Sequence, residues 1–327
     1  MNPRNNLFPT PHIQQDRTPP DINRIMFAAL LPAMVMSVIF FGLGSFEIMA
    51  ASVLSCLFFA YLLHQYKSRI LGSPTGIQTG PAIITGILLA FNLPAGLPVW
   101  LVLPGSLVAM LFTRVSIGKH VSLPFNAILI SRLLLRVCFP VQMTTWPAVV
   151  TSTDSLTGLS PLGMLKEGLI NGKTMAQITS DTKFPGYFDI FWGNVSGSIG
   201  EISAIAILMG GIYLIWKKII TWHTPVAVLG SIFLFESILW IASPGRFMDP
   251  VFHLITGGAT FLAFFMATDP NTSPETSIGK LLAGISIGLI TIAIRNFGSY
   301  PEEMFFAILV VNGFTPFINA ITKPMLK

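Results

Sequence analysis

The sequence predicts an all-α integral membrane protein of about ten transmembrane helices, arranged as two inverted five-helix repeats with broken helices. Composition is the first ground. Of 327 residues, 52% are hydrophobic and 10% charged, and the mean hydropathy is +0.71, whereas a soluble domain carries about a quarter charged residues. Such a chain is not a cytosolic enzyme, a disordered segment or a nucleic-acid binder, and its 19 Lys+Arg against 14 Asp+Glu are scattered rather than gathered into a polyanion site. The second ground is the length of the apolar runs, because a spanning helix needs roughly 17 to 25 mostly apolar residues. The third is an echo between the two halves of the chain.

Taken in order, residues 1–24 contain Asp16, Asp21 and Pro19-Pro20 without an apolar core, which reads as a polar cytoplasmic tail rather than a cleaved signal peptide. The first repeat is expected over 25–140, with spans near 25–44, 47–65, 79–95, 97–114 and 122–140. Pro81, Pro94, Pro124 and Pro140 interrupt the third and fifth of these, which therefore read as half-helices or re-entrant segments, tolerated only against protein. Residues 141–198 form the one long polar segment, and 199–327 the second repeat, with spans near 199–216, 223–242, 251–268, 280–297 and 303–322. Positive charge collects in short cytoplasmic loops. With the N-terminus inside, Arg4, Arg17, Arg24, Lys67, Arg69, Arg114, Lys119, Lys217, Lys218, Lys280, Lys323 and Lys327 all fall on the inner side. Both termini are thus expected in the cytoplasm, and 141–198 on the outside.

The echo pairs Ile84-Thr85-Gly86 and Leu89-Ala90-Phe91 with Ile255-Thr256-Gly257 and Leu262-Ala263-Phe264, and Arg114 before a Pro-containing turn with Arg295 before Pro301. Five spans per copy is an odd number, so the second copy inserts upside down, an architecture that places broken helices and a ligand site near the midplane.

Candidate chemistry is sparse. Asp154-Ser155-Leu156-Thr157-Gly158-Leu159-Ser160-Pro161-Leu162 reads either as an ordinary turn or as an outward site. Phe184, Tyr187, Phe188, Phe191 and Trp192 read either as the wall of a ring site or as an interfacial aromatic belt. The amides of Gly197-Ser198-Ile199-Gly200, opening the sixth span, are candidates to face an anion, with Glu201 favouring the positive helix end. Glu236 lies in mid-span, as a proton relay or cation ligand, or as a protonated hydrogen-bond partner of another helix; Asp269 lies at an inner helix end. Arg132 and Arg136 are one turn apart and expected to be paired or snorkelling. Cys56 and Cys138 sit in apolar runs and read as core residues, the histidines lack companion ligands, and no metal is expected.

With the loop at 154–162, the stretches Pro11-His12-Ile13, Gly118-Lys119, Pro124-Phe125-Asn126, Gly193-Asn194-Val195-Ser196-Gly197-Ser198-Ile199-Gly200-Glu201 and Phe264-Phe265-Met266-Ala267-Thr268-Asp269-Pro270 carry a resemblance over nearly the whole chain. It is to the D subunits of Rnf electron-transport complexes, themselves similar to the B subunits of sodium-translocating NADH:quinone reductases. The family's loop pattern is Asp-x-x-Ser/Thr-Gly-Ala-Thr-Pro-Leu, its last Thr bearing FMN as a phosphoester. Asp154, Thr157, Gly158, Pro161 and Leu162 match; Leu159 replaces the Ala and Ser160 the modified Thr. The resemblance thus implies covalent FMN on Ser160, since any suitably placed alcohol can attack the flavin dinucleotide; an unmodified loop, or attachment at Thr157, are the alternatives. Noncovalent riboflavin is implied near Asn126, although Leu123 stands for the family's preceding Asn and Ala127 for its following Pro; a plain helix start is the other reading of Asn126.

The function implied is that of an electron-relaying membrane subunit of a ferredoxin:NAD oxidoreductase that moves Na⁺ or H⁺, in the bacterial inner membrane. Its expected partners are the FMN-bearing G subunit, the membrane A and E subunits, a flavin-attaching transferase and membrane lipid, with no nucleic acid. No Gly-rich dinucleotide loop follows a strand, so nicotinamide chemistry is left to other subunits. The rival is a solute channel, because an inverted five-plus-five fold is also similar to that of urea channels and fold does not fix function.

Overall fold

The computed structural model describes residues 18–71, 79–117, 124–147, 149, 157–201 and 203–323. Helix α1 (Pro19–Phe41) starts ahead of the expected boundary because Pro19 and Pro20 occupy its first positions, where a missing N–H forfeits no intrahelical bond. Gly42, at φ 64°, turns the chain directly into α2 (Leu43–Leu71). Then come α3 (Thr79–Phe91), a 3₁₀ turn (Val99–Leu101), α4 (Val102–Ile117) and α5 (Ala127–Cys138). The second half contains α10 (Ala204–Trp216), α11 (His223–Ala242), α12 (Pro250–Ile255), α13 (Ala259–Phe261) continuing into a π-helical turn (Leu262–Met266), α14 (Ser277–Phe297) and α15 (Met304–Thr322).

Among the described residues α1, α2, α11, α14 and α15 are long and apolar enough to cross a membrane, which makes this an all-α, multi-pass membrane protein. The other expected spans are shorter. The 13 residues of α3 and 12 of α5 rise about 20 Å at 1.5 Å each, against a hydrocarbon core of about 30 Å, as the prolines at 79–95 and 122–140 foretell. The interval 251–268, expected as an unbroken span, is not one: Thr256 is extended, and Gly257 and Gly258 turn through φ 59° and 63° before α13 begins.

The two halves repeat one packing pattern. α2 packs on α3 and α4, and α4 on α5; α11 packs on α12 and α14, and α14 on α15. α1 meets α10, and α5 meets α15, across the junction. Small residues bring these helices close: Ser52 Oγ donates to the Gly86 carbonyl (2.7 Å), and Ser231 Oγ to that of Gly284 (3.4 Å). Without a hydrophobic drive inside lipid, such close backbone approach is what holds helices together.

Between α5 and α10 lies a folded cap, not a loop. It contains α6 (Pro140–Thr144), an antiparallel ribbon of β1 (Trp146–Pro147) and β2 (Thr157–Gly158), then α7 (Pro161–Ile170), α8 (Met175–Thr179) and α9 (Tyr187–Trp192). Leu162, Leu165, Ile178, Ile190 and Phe252 form its own small core, so the cap is seated on α12. The cap face, with 243–249 and 298–303, is one end of the molecule; 217–222 and 267–276 lie at the other.

Candidate functional site

Ser160 is the N-cap of α7: it is extended (φ −66°, ψ 161°) and its Oγ accepts the Gly163 amide at 3.0 Å. It is buried, 6% exposed, and lines a cavity of about 280 Å³ together with Arg132, Arg136, Lys166, Trp146 and Tyr300. Glu167, Glu302 and Glu303 line it too, so its cations are balanced by carboxylates; the positive end of the ten-residue α7 and Lys166 suit a phosphate, and the two aromatic side chains give a ring a surface. The residues present therefore fit FMN on Ser160. Gly158 packs on Ser196, whose Oγ would have to shift for a Cβ, which would fall 2.5 Å from it. Thr157 contributes backbone to β2, paired with Pro147. Asp154 lies outside the described residues.

Behind this cavity the bundle holds a buried charge network. Arg132 meets Glu201 at 3.5 Å and the Asn92 side chain at 3.1 Å, and stacks over Phe305; Arg136 meets Glu303 at 2.5 Å and stacks over Tyr300. Arg295 instead gives its terminal nitrogens to the carbonyls of His253, Thr256 and Gly257, satisfying the main chain where α12 breaks. Glu236 accepts from Asn296 at 2.8 Å, the neighbouring-helix hydrogen bond that is one of its two expected roles. At the rim, burial and then the nearby Glu201 push the Glu302 carboxyl up to about 8.

At the opposite end Asn126 caps α5, its Oδ1 accepting from the amides of Ile128 (3.0 Å) and Leu129 (3.2 Å). Its Nδ2 donates to Asp269 (3.0 Å), whose carboxyl is raised above its ordinary range by burial. The pair lines a cavity of about 510 Å³ with Thr85, Phe125, Phe265 and Thr272. Asn126 is thus a helix start, one of its two readings, with both ends of its amide engaged; Asn23, Thr113 and Asn271 also line the cavity. This space and polarity fit a second tricyclic ring.

The amides at 199 and 200 do not open the sixth span. α10 begins only at Ala204, and the Ile199 and Gly200 amides donate to the carbonyls of Leu93 and Phe91, closing the end of α3. Glu201 accordingly serves Arg132 rather than a helix end. None of the five aromatic residues at 184–192 lines the Ser160 cavity: Phe184 stacks on Phe252, and Phe188 on Trp192 at the surface. Cys138 is exposed rather than in the core. Trp146, Tyr300, Glu303 and Asn296 were missed, because each acquires its role from a partner more than a hundred residues away or on another helix, which no local spacing reveals.

A family model described as the NQR2, RnfD, RnfE family matches residues 7–326. Similar relatives include the D subunit of the proton-translocating ferredoxin:NAD(+) oxidoreductase complex of Clostridium ljungdahlii, 35% identical over 97% of this chain and 94% of the relative. The D subunit of the Na(+)-translocating ferredoxin:NAD(+) oxidoreductase complex of Acetobacterium woodii is 35% identical over 96% and 92%. That of the ion-translocating oxidoreductase complex of Aeromonas salmonicida is 29% identical over 98% and 97%. With a full-length family match on a fold of paired half-helices beneath a folded cap, the chain belongs to the NQR2, RnfD, RnfE family.

Proposed function

We propose that this chain is the D-type membrane subunit of an ion-translocating ferredoxin:NAD oxidoreductase complex in the bacterial inner membrane, relaying electrons through FMN on Ser160 and riboflavin in the Asn126 cavity. The observation that carries the reading is Ser160 itself, a capping hydroxyl at a helix start that faces a cavity lined by Lys166, two glutamate-paired arginines and two aromatic residues. Flavins supply one- and two-electron exchange when bound. The chain's part is positional. Lys166 and the positive end of α7 would hold the phosphate, Arg132 and Arg136, each paired with a glutamate, would flank the ring space, and Trp146 and Tyr300 would wall it. At the other end Asn126 holds Asp269 in place beside the larger cavity. The cap side is the outer one in this reading and both termini are cytoplasmic, in keeping with Lys217, Lys218 and Lys323 at the far end. The partners are the remaining Rnf subunits, above all the G subunit and the membrane A and E subunits, with a transferase that moves the FMN half of the dinucleotide onto Ser160 Oγ, the pyrophosphate bond breaking as AMP leaves and the hydroxyl proton being released. Packing favours this over the channel: Phe91 and Phe261, both fully buried, meet edge to face at 5.7 Å between the halves.

The test is peptide mass spectrometry with in-gel flavin fluorescence on protein from its native host. A mass increase of one FMN on the Ser160 peptide, lost in Ser160→Ala, is expected. Fluorescence that survives in Ser160→Ala moves the attachment elsewhere, and its absence in the wild type removes the covalent centre.

A further inference from the structure

Glu236 is fully enclosed within a spanning helix and has no arginine in contact among the described residues. Glu201 and Glu303 each touch an arginine, whereas Arg295, the cation nearest Glu236, spends its terminal nitrogens on three main-chain carbonyls. Glu236 is 0% exposed in the spanning helix α11, and an ionised carboxylate buried without a contacting cation costs several kcal/mol. Its Oε2 accepts from Asn296 on α14, but Oε1 has no hydrogen bond. That oxygen lies 3.4 Å from Nε2 of His253 on α12, a ring 1% exposed whose two nitrogens also lack hydrogen bonds. The contact is not aligned as a hydrogen bond; a small ring rotation that let a neutral imidazole donate from Nε2 to Oε1 would leave the negative charge in place. One further proton cancels that charge.

We propose that Glu236 and His253 form an intramembrane proton-binding site. The pair passes between net charge −1 and zero on taking up one proton, which rests on the Glu236 carboxyl or on His253 Nδ1; no electron moves and no covalent bond beyond that to hydrogen is made. Access is from the cap face. Asn296 separates Glu236 from a cavity of about 370 Å³ that Arg295, Arg246 and Lys166 also line. The groups facing the pair are Arg295 and Asn296 from α14, Asp249 at the start of α12, and Lys166 of α7, whose Nζ reaches the Asn296 carbonyl at 3.4 Å; Glu201 and Glu302 act through Arg295. A hard metal cation would need a cage of oxygens, and the carbonyls at the break are already held by Arg295. The inference therefore names the proton, and it needs no flavin.

The experiment is pH-difference infrared spectroscopy of the full-length protein purified from its native membrane, in H₂O and D₂O. The expected result is a protonated-carboxyl C=O band whose amplitude changes with pH and which shifts in D₂O. It is lost in Glu236→Gln, which keeps the oxygen that Asn296 bonds, and is displaced in His253→Gln. No such band, a band unchanged in Glu236→Gln, or one that answers to Na⁺ at fixed pH and not to pH overturns the proposal. Should Glu236→Gln fail to fold, the decision falls to His253→Gln, where an undisplaced band overturns it. Flavin fluorescence of the same samples reads the electron-carrier function separately, so either reading can fail alone.

Discussion

At Ser160 a single hydroxyl caps α7 and faces the cavity, and substitutions can separate the two. Aspartate is as good an N-cap as serine but offers no alcohol. Ser160→Asp is therefore expected to stay within about 1 kcal/mol of wild type in thermal denaturation while losing all covalent flavin fluorescence; Ser160→Thr should keep both. A variant that melts normally and still fluoresces would sink the assignment. Glu302 gives a pH prediction. Its folded carboxyl is raised from 4.5 to about 8, first by burial and then by Glu201, so in that interval the folded chain holds a proton that the unfolded chain has released. Stability then falls as pH rises from about 4.5 to about 8, and the penalty is absent below. Glu302→Gln should flatten the decline, checked by melting temperature against pH; parallel curves would refute it. At this scale the loop motif at 154–162 was legible because turn chemistry is local, whereas the Arg132–Glu201 and Arg136–Glu303 pairs were readable only as arginines in need of partners.

Among the elements, the break between α12 and α13 depends most on backbone geometry. Gly258 sits at φ 63°, and a Cβ there would come 2.6 Å from Glu201 Cγ. A left-handed conformation costs a non-glycine residue roughly 1–2 kcal/mol, so Gly258→Ala should lower the melting temperature by at least that equivalent and push Glu201 away from Arg132. Adding Arg132→Met then tests the link: if the loss from Gly258→Ala is as large without Arg132 as with it, the two are not coupled. Proline announced the half-helices at 79–95 and 122–140, because it removes a donor and restricts the residue before it. The break at Thr256 was hidden in an apolar run with only two adjacent glycines to mark it, and glycine is ordinary in membrane helices. The folded cap was hidden for a different reason: its helices are short, and they are ordered by a core shared with α12 rather than by their own periodicity.

For the molecule as a whole, composition and run length were enough to read an all-α membrane protein, and the odd number of spans per half sufficed to suggest inversion. Which end faces out is testable. In a background with Cys56 and Cys138 replaced by Ser, Lys183→Cys in the cap should react with a membrane-impermeant maleimide on intact cells, and Lys218→Cys only after permeabilisation; the reverse pattern would invert the topology. The end of α3 has a further consequence. The Ile199 and Gly200 amides, from the segment entering the second half, bond the carbonyls that close the first half's half-helix, and Arg132–Glu201 ties the same place from α5. A rocker-switch transporter works by prising its halves apart. Here that motion would break main-chain bonds together with a buried ion pair. The two halves are pinned at this seam, so conformational change is expected in the cap and at the helix ends rather than as a separation of the halves.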